Sequence, residues 1–214
     1  MNDKYLSIIT NFGCHWKCHY CIVKNTGISV PQTTIESLDN LWNAVQKTNA
    51  NIISLSGGGD PLFEYEKHTD YYNRLFDFSK SNGIPIEMHT SYINDTNFPY
   101  EKCLRVVYHC HSLQDMKNIT RHGHEIIRAV FVVTKDFTYE RIEEITGYVN
   151  SSSVIDELSF RQMIDENYQT TDYCREYLKK GHKKNWWYIE QGDYNLYFVN
   201  GEIYNKYSEL KTGG

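Results

Sequence analysis

Tyr5-Leu6-Ser7-Ile8-Ile9-Thr10 runs directly into Asn11-Phe12-Gly13-Cys14-His15-Trp16-Lys17-Cys18-His19-Tyr20-Cys21, and this join of a β-type run to a cysteine-dense loop anchors the fold. Five further runs of the same kind follow: Asn51–Ser56, Ile84–Thr90, Leu104–Cys110, Ile126–Thr134 and Glu157–Ile164. Each is short and rich in Ile, Val, Tyr or Phe, as buried parallel strands are. Helical patterns fill the gaps. Thr33–Thr48 places Ile35, Leu38, Leu41, Trp42 and Val45 at three-to-four spacing behind Thr33 or Thr34 as N-cap. Tyr65–Ser81 does the same with Tyr72, Leu75 and Phe76, and Asn82-Gly83 supplies the stop. Shorter helices are expected at Leu113–His122 and Tyr139–Asn150. Strand–helix units in series predict an α/β fold with a parallel sheet and right-handed crossovers.

Beyond about residue 166 the alternation changes. Thr170–Lys180 reads as a helix ending at Gly181, and Trp186–Ile189 and Asn195–Tyr204 read as strands, with Asn200-Gly201 a hairpin turn. The expected organisation is a core over residues 1–165 and a small C-terminal helix and β-hairpin appendage over 166–214.

The chain has 214 residues, 40% hydrophobic and 23% charged, ordinary for one globular domain and wrong for a disordered segment. The longest apolar stretch, Ala129–Val133, is far short of the roughly 20 residues of a membrane span. No signal peptide is visible, so the expected compartment is the cytoplasm. Lys and Arg number 22 against 27 Asp and Glu, a net charge of −5, which argues against generic nucleic-acid binding by the chain as a whole.

Six cysteines stand at 14, 18, 21, 103, 110 and 174. A crowded trio in a reducing compartment reads as a metal or cluster site rather than a disulfide framework. Three thiolates on one loop can hold three irons of a cube and leave the fourth open, the logic that also marks catalytic zinc. Zinc closed by His15, His19 or a distant cysteine is the alternative, as is a trio of unrelated thiols. The scattered Cys103, Cys110 and Cys174 read as small buried hydrophobes.

With Cys-x3-Cys-x2-Cys after the first strand and Tyr20 just before Cys21, the chain resembles the radical S-adenosylmethionine superfamily. The resemblance implies a [4Fe-4S] cluster on Cys14, Cys18 and Cys21, with S-adenosylmethionine on its open iron and Tyr20 against the adenine. It implies a partial (β/α)6 barrel over about residues 5–165, reductive cleavage to a 5′-deoxyadenosyl radical, and hydrogen abstraction from substrate. Ser56-Gly57-Gly58-Gly59-Asp60-Pro61 is similar to the family's Gly-Gly-Glu-Pro motif, which holds the methionine amino group, but carries an extra glycine and aspartate for glutamate. Thr90 and Ser91, at the end of the third strand, match the ribose-contacting position, with Glu87 a deeper candidate.

Arg161 lies inside an otherwise apolar strand run, where a guanidinium requires an anion: the cofactor carboxylate, a substrate anion, or Glu87 or Glu157. His109 and His111 alternate on one strand and could face a common cavity, with His122 and His124 as loop or capping residues. Arg175, Lys179, Lys180, Lys183 and Lys184, before Trp186-Trp187-Tyr188, form the one basic aromatic stretch. It suits a nucleic acid or a solvated helix end. The expected substrate is a small or nucleobase-type molecule, with peptide, DNA or RNA as alternatives and flavodoxin or ferredoxin as electron donor. The competing class is a non-catalytic zinc-binding interaction module.

Overall fold

The computed structural model describes residues 3–93, 97–180, 186–190 and 196–210. Lys183 and Lys184 of the basic stretch, the expected helix end at Gly181 and the expected strand start at Asn195 lie outside these residues.

Among the described residues, nine strands form one open, mostly parallel sheet: β1 Tyr5–Thr10, β2 Ile52–Gly57, β3 Ile86–Thr90, β4 Arg105–His109, β5 Ile126–Val133, β6 Glu157–Gln162, β7 Trp186–Ile189, β8 Leu196–Val199 and β9 Glu202–Tyr204. Their order is β7-β6-β5-β4-β3-β2-β1-β8-β9, so the first six strands sit side by side in chain order. Only β9 runs antiparallel, joined to β8 through Asn200 and Gly201, whose φ values of 47° and 92° meet the demand of a tight hairpin.

The C-terminal residues divide between the two edges of the same sheet. β7 extends β6, with Phe160 opposite Tyr188, while β8 extends β1, with Ile8 opposite Phe198. Leu178, Trp186 and Phe198 are buried in the main core beside Leu6, Ile53 and Phe160.

Six α-helices form among the described residues: α1 Ile22–Thr26, α2 Leu41–Thr48, α3 Thr69–Asn82, α4 Leu113–Lys117, α5 Tyr139–Ser151 and α6 Arg175–Lys180. The expected helix over 33–48 opens as a 3-10 turn at Ile35–Asn40, where the Ser37 hydroxyl donates back to the Thr34 carbonyl at 2.6 Å and competes with the α-ladder. α6 starts later than expected because Thr170 bridges Ile164 instead. α4 ends early, after a capping box between Ser112 and Asp115. α3 stops at Gly83 in the left-handed conformation, as Asn-Gly predicts.

Alternation along the strands separates two faces. One face, with Ile53, Leu55, Met88, Val106, Tyr108, Phe131 and Phe160, packs with Leu41, Tyr72, Leu75 and Ile142 of the helices into the main core. The opposite face carries Ser7, Ser54, Glu87, His89, Arg105, His109, Arg128, Glu157, Ser159 and Arg161. A parallel sheet covered by helices on both sides would be apolar on both. Here the second face is polar and is the site.

Candidate functional site

At the strand N-terminal ends, ion pairs close the polar face. Arg105 reaches Glu87 at 2.7 Å and Glu157 at 2.9 Å, and Arg128 reaches Glu157 at 2.7 Å. Burial alone would raise the Glu87 carboxyl, but hydrogen bonds and charge from His89, with Arg105, hold it well below the usual carboxylate range. Arg105 and Arg128 thus engage Glu87 and Glu157 across the foot of the sheet.

Toward the strand C-terminal ends the same face opens into a cavity of about 330 Å³. Parallel α/β sheets bind ligands at this end. Cys14, Cys18, Tyr20 and Cys21 line it from the loop after β1, Gly57, Gly58, Gly59 and Asp60 from the end of β2, Thr90 and Ser91 from β3, and Arg161 from β6. These residues, singled out from the sequence for cofactor or cluster, therefore border one space; Glu87, the deeper candidate, does not line it and is taken up by Arg105 and His89.

Two close backbone approaches hold the cysteine loop against the glycine run. The Gly58 amide donates to the Thr10 carbonyl at 2.9 Å and the Asp60 amide to the Gly13 carbonyl at 2.8 Å. A Cβ on Gly59 would sit 2.0 Å from the Gly13 oxygen, and Gly13 itself has φ of +121° with the Phe63 ring where its own Cβ would go. Both positions require glycine.

Asp60 is buried, and both carboxylate oxygens are engaged: Oδ1 accepts from Thr90 Oγ1 at 2.8 Å and the Leu62 amide at 3.0 Å, Oδ2 from the Ser91 amide at 2.6 Å. Burial raises its carboxyl above the usual range despite these bonds. Asp60 thereby clamps the end of β3, and the Thr90 hydroxyl points its proton at Asp60. The glycine run offers backbone to the cavity: the Gly59 amide makes no hydrogen bond among the described residues.

The three thiols line the cavity without being drawn together; among the described residues no three His, Cys, Asp or Glu side chains are grouped closely enough to hold a metal ion as they stand. Their donor chemistry still fits a cluster: one exposed and two half-buried cysteines on one loop, each able to swing between staggered rotamers, facing a glycine backbone. Burial pushes the Cys14 and Cys18 thiols up, and for Cys18 the neighbouring Cys14 and Cys21 charges add to it, which a cluster's positive irons would reverse.

Tyr20 donates to or accepts from His111 Nδ1 at 2.9 Å, and burial raises its phenol so that it stays neutral. His111 lies just past β4 and turns to the cysteine loop. Its Nε2 is 3.9 Å from Cys18 Sγ, and Trp16 lies over its ring at 4.2 Å. His109 and His111 thus do not share the cavity as strand alternation suggested, because the strand ends between them. His122 stacks on Tyr100 instead, with ring centroids 4.6 Å apart. Cys103 and Cys110 are buried, and burial pushes both thiols up so that they stay protonated, whereas Cys174, just before α6, is only half-buried and not the core residue expected.

Three contributors escaped the sequence reading. His89 faces the cavity, bonded to Glu87 at 2.7 Å and to His109 at 3.1 Å. The two-residue alternation from Glu87 was the available signal. Tyr197 and Tyr207 come from the C-terminal residues, and the Tyr207 hydroxyl donates to the Gly57 carbonyl at 3.3 Å. No local pattern marks them. In the basic stretch, Arg175 and Lys179 are both paired with Glu190, at 2.6 and 2.9 Å.

No protein-family model matches this chain, and no curated protein matches it.

Proposed function

We propose that the protein is a radical S-adenosylmethionine enzyme acting on a small or nucleobase-type substrate. One observation carries the reading: Cys14, Cys18 and Cys21 border the same cavity as the glycine run, Thr90, Ser91 and Arg161, at the C-terminal ends of parallel strands. On this reading β1–β6, adjacent in chain order, are the strands of a partial (β/α)6 barrel left open for substrate. Cys14, Cys18 and Cys21 would hold a [4Fe-4S] cluster, which, when bound, supplies the electron that splits S-adenosylmethionine into methionine and a hydrogen-abstracting 5′-deoxyadenosyl radical.

The chain's own residues do the positioning. Gly58 and Gly59 let backbone approach the methionine end of the nucleotide. Arg161 offers a planar fork to a carboxylate, Tyr20 gives an aromatic face to the adenine, and Thr90 and Ser91 border the ribose. Asp60 holds the β3 end in place rather than reaching the ligand. Flavodoxin or ferredoxin would deliver the electron.

A second reading has its own observation: His111 Nε2, 3.9 Å from Cys18 Sγ, is placed to complete a three-cysteine, one-histidine zinc site. Anaerobic reconstitution with iron and sulfide separates the two. The enzyme reading expects a brown protein that, with dithionite and S-adenosylmethionine, releases 5′-deoxyadenosine. A colourless protein holding one zinc per chain overturns it. Substrates with a nucleic-acid backbone are tested by the salt dependence of binding, since phosphate contacts give a steep one.

A further inference from the structure

The cavity floor contains a hydrogen-bonded line that neither the cluster nor the nucleotide uses. Arg105 binds Glu87 Oε2 at 2.7 Å, Glu87 Oε1 meets His89 Nε2 at 2.7 Å, and His89 Nδ1 meets His109 Nε2 at 3.1 Å. His109 then borders the cavity, and its Nδ1 has no hydrogen-bond partner among the described residues. The line runs diagonally between neighbouring strands: His89 is in register with Val107, two residues before His109, so the long side chains meet across the pair.

The chemistry of imidazole sets the direction. The Glu87 carboxylate only accepts, so His89 Nε2 carries a proton. In the form of the line that carries one proton on each imidazole, His89 Nδ1 is the acceptor, so His109 donates from Nε2 and leaves Nδ1 as a bare lone pair. Burial of the His109 ring disfavours its charged form. Arg105 and Arg128 face this line and act on Glu87. Ser54 also donates to Glu87 Oε1, at 3.3 Å.

We propose that His109 Nδ1 is the base that takes a proton from an N–H or O–H of the substrate, through a relay in which His89 receives the charge and Glu87 stabilises it. In the step, the substrate X–H proton bonds to His109 Nδ1 and the X–H electron pair stays on X. The proton on His109 Nε2 moves to His89 Nδ1. His89 becomes an imidazolium beside the Glu87 carboxylate, and no oxidant or reductant is consumed. The substrate class is a polar molecule with a dissociable heteroatom proton, such as a hydroxyl compound or a lactam-type heterocycle, in keeping with the Ser7, Ser54 and Ser56 lining. His109 is the catalytic residue; His89 and Glu87 are positioning residues.

The proposal rests on the functional reading only for the cavity being the substrate site, so its test is separable. Long-range proton–nitrogen spectra of the full-length protein labelled with nitrogen-15 histidine, above neutral pH, report which ring nitrogen is bare. The expected result is a bare Nδ1 on both His89 and His109. A proton on His109 Nδ1 overturns the relay. Diethyl pyrocarbonate, which acylates a bare imidazole nitrogen, is the second probe. Peptide mapping should find His109 modified, and His89, bonded on both sides, modified on the order of tenfold more slowly or not at all. Preferential modification of His89 also overturns the proposal. Both readouts use wild-type protein, so neither depends on a variant folding. Absent 5′-deoxyadenosine with the expected tautomers removes the radical chemistry and keeps the relay; the converse pair removes the relay alone.

Discussion

The Asp60 amide donates to the Gly13 carbonyl at 2.8 Å, and this bond helps tie the cysteine loop to the glycine run. It is possible only because Gly59, the residue between Gly58 and Asp60, has no side chain. A Cβ there would overlap the Gly13 oxygen at 2.0 Å.

Gly59→Ala should therefore displace the loop and destabilise the protein by about 1–3 kcal/mol, the usual cost of forcing an atom into a filled site. Gly147→Ala is the control: it lies in α5 with open space around it and should stabilise by roughly 0.5–1 kcal/mol. Urea unfolding of the two variants measures both. Equal effects would mean that the loop approach is not tight.

Glu87 makes stability depend on acid. Its folded carboxyl is held below the unfolded value of about 4.3. The ion-pair contribution is whole above that value and is lost as pH falls through the lower folded one. One such proton gives a slope of up to ~1.4 kcal/mol per pH unit. Glu87→Gln should remove that slope below pH ~4 and cost at most about 3–5 kcal/mol at neutral pH, less where Arg105 keeps Glu157. Denaturation from pH 2 to 7 checks it, and an unaltered acid slope would sink the account.

Thiols in the core and at the cavity should separate on substitution. Cys18→Ala should abolish iron incorporation on anaerobic reconstitution. Cys110→Ala, whose thiol is buried and donates to the Tyr108 carbonyl at 3.6 Å, should keep full iron content and lose about 1 kcal/mol of stability. Iron analysis alongside thermal melting reads both.

Phe198 is 1% exposed and stands opposite Ile8 across the β1–β8 pair. Phe198→Ala should cost about 3–5 kcal/mol and lower the melting of the entire chain in one transition. A separate early transition with the main one unmoved would show the C-terminal residues folding as an independent unit.

Local sequence was enough to mark most strands and helices, though not the 3-10 opening at Ile35–Asn40 or the late start of α6. Strand runs at Tyr5–Thr10 and Arg105–His109, the α3 stop at Gly83 and the Asn200-Gly201 turn depend on local propensity and on backbone angles that only certain residues adopt. The Cys14–Cys21 loop was equally legible, because three cysteines within one turn-rich segment are close in any fold. Strand order and register were decided only by the tertiary structure, since they follow from burying apolar faces far apart in the chain. That is why the split of β7 and β8 to opposite edges, and Tyr207 beside Gly57, had no local mark. Glu87, His89, Arg105 and His109 were each visible as residues. What they do together arises from adjacent parallel strands placing one polar face inward, where low dielectric strengthens every bond among them.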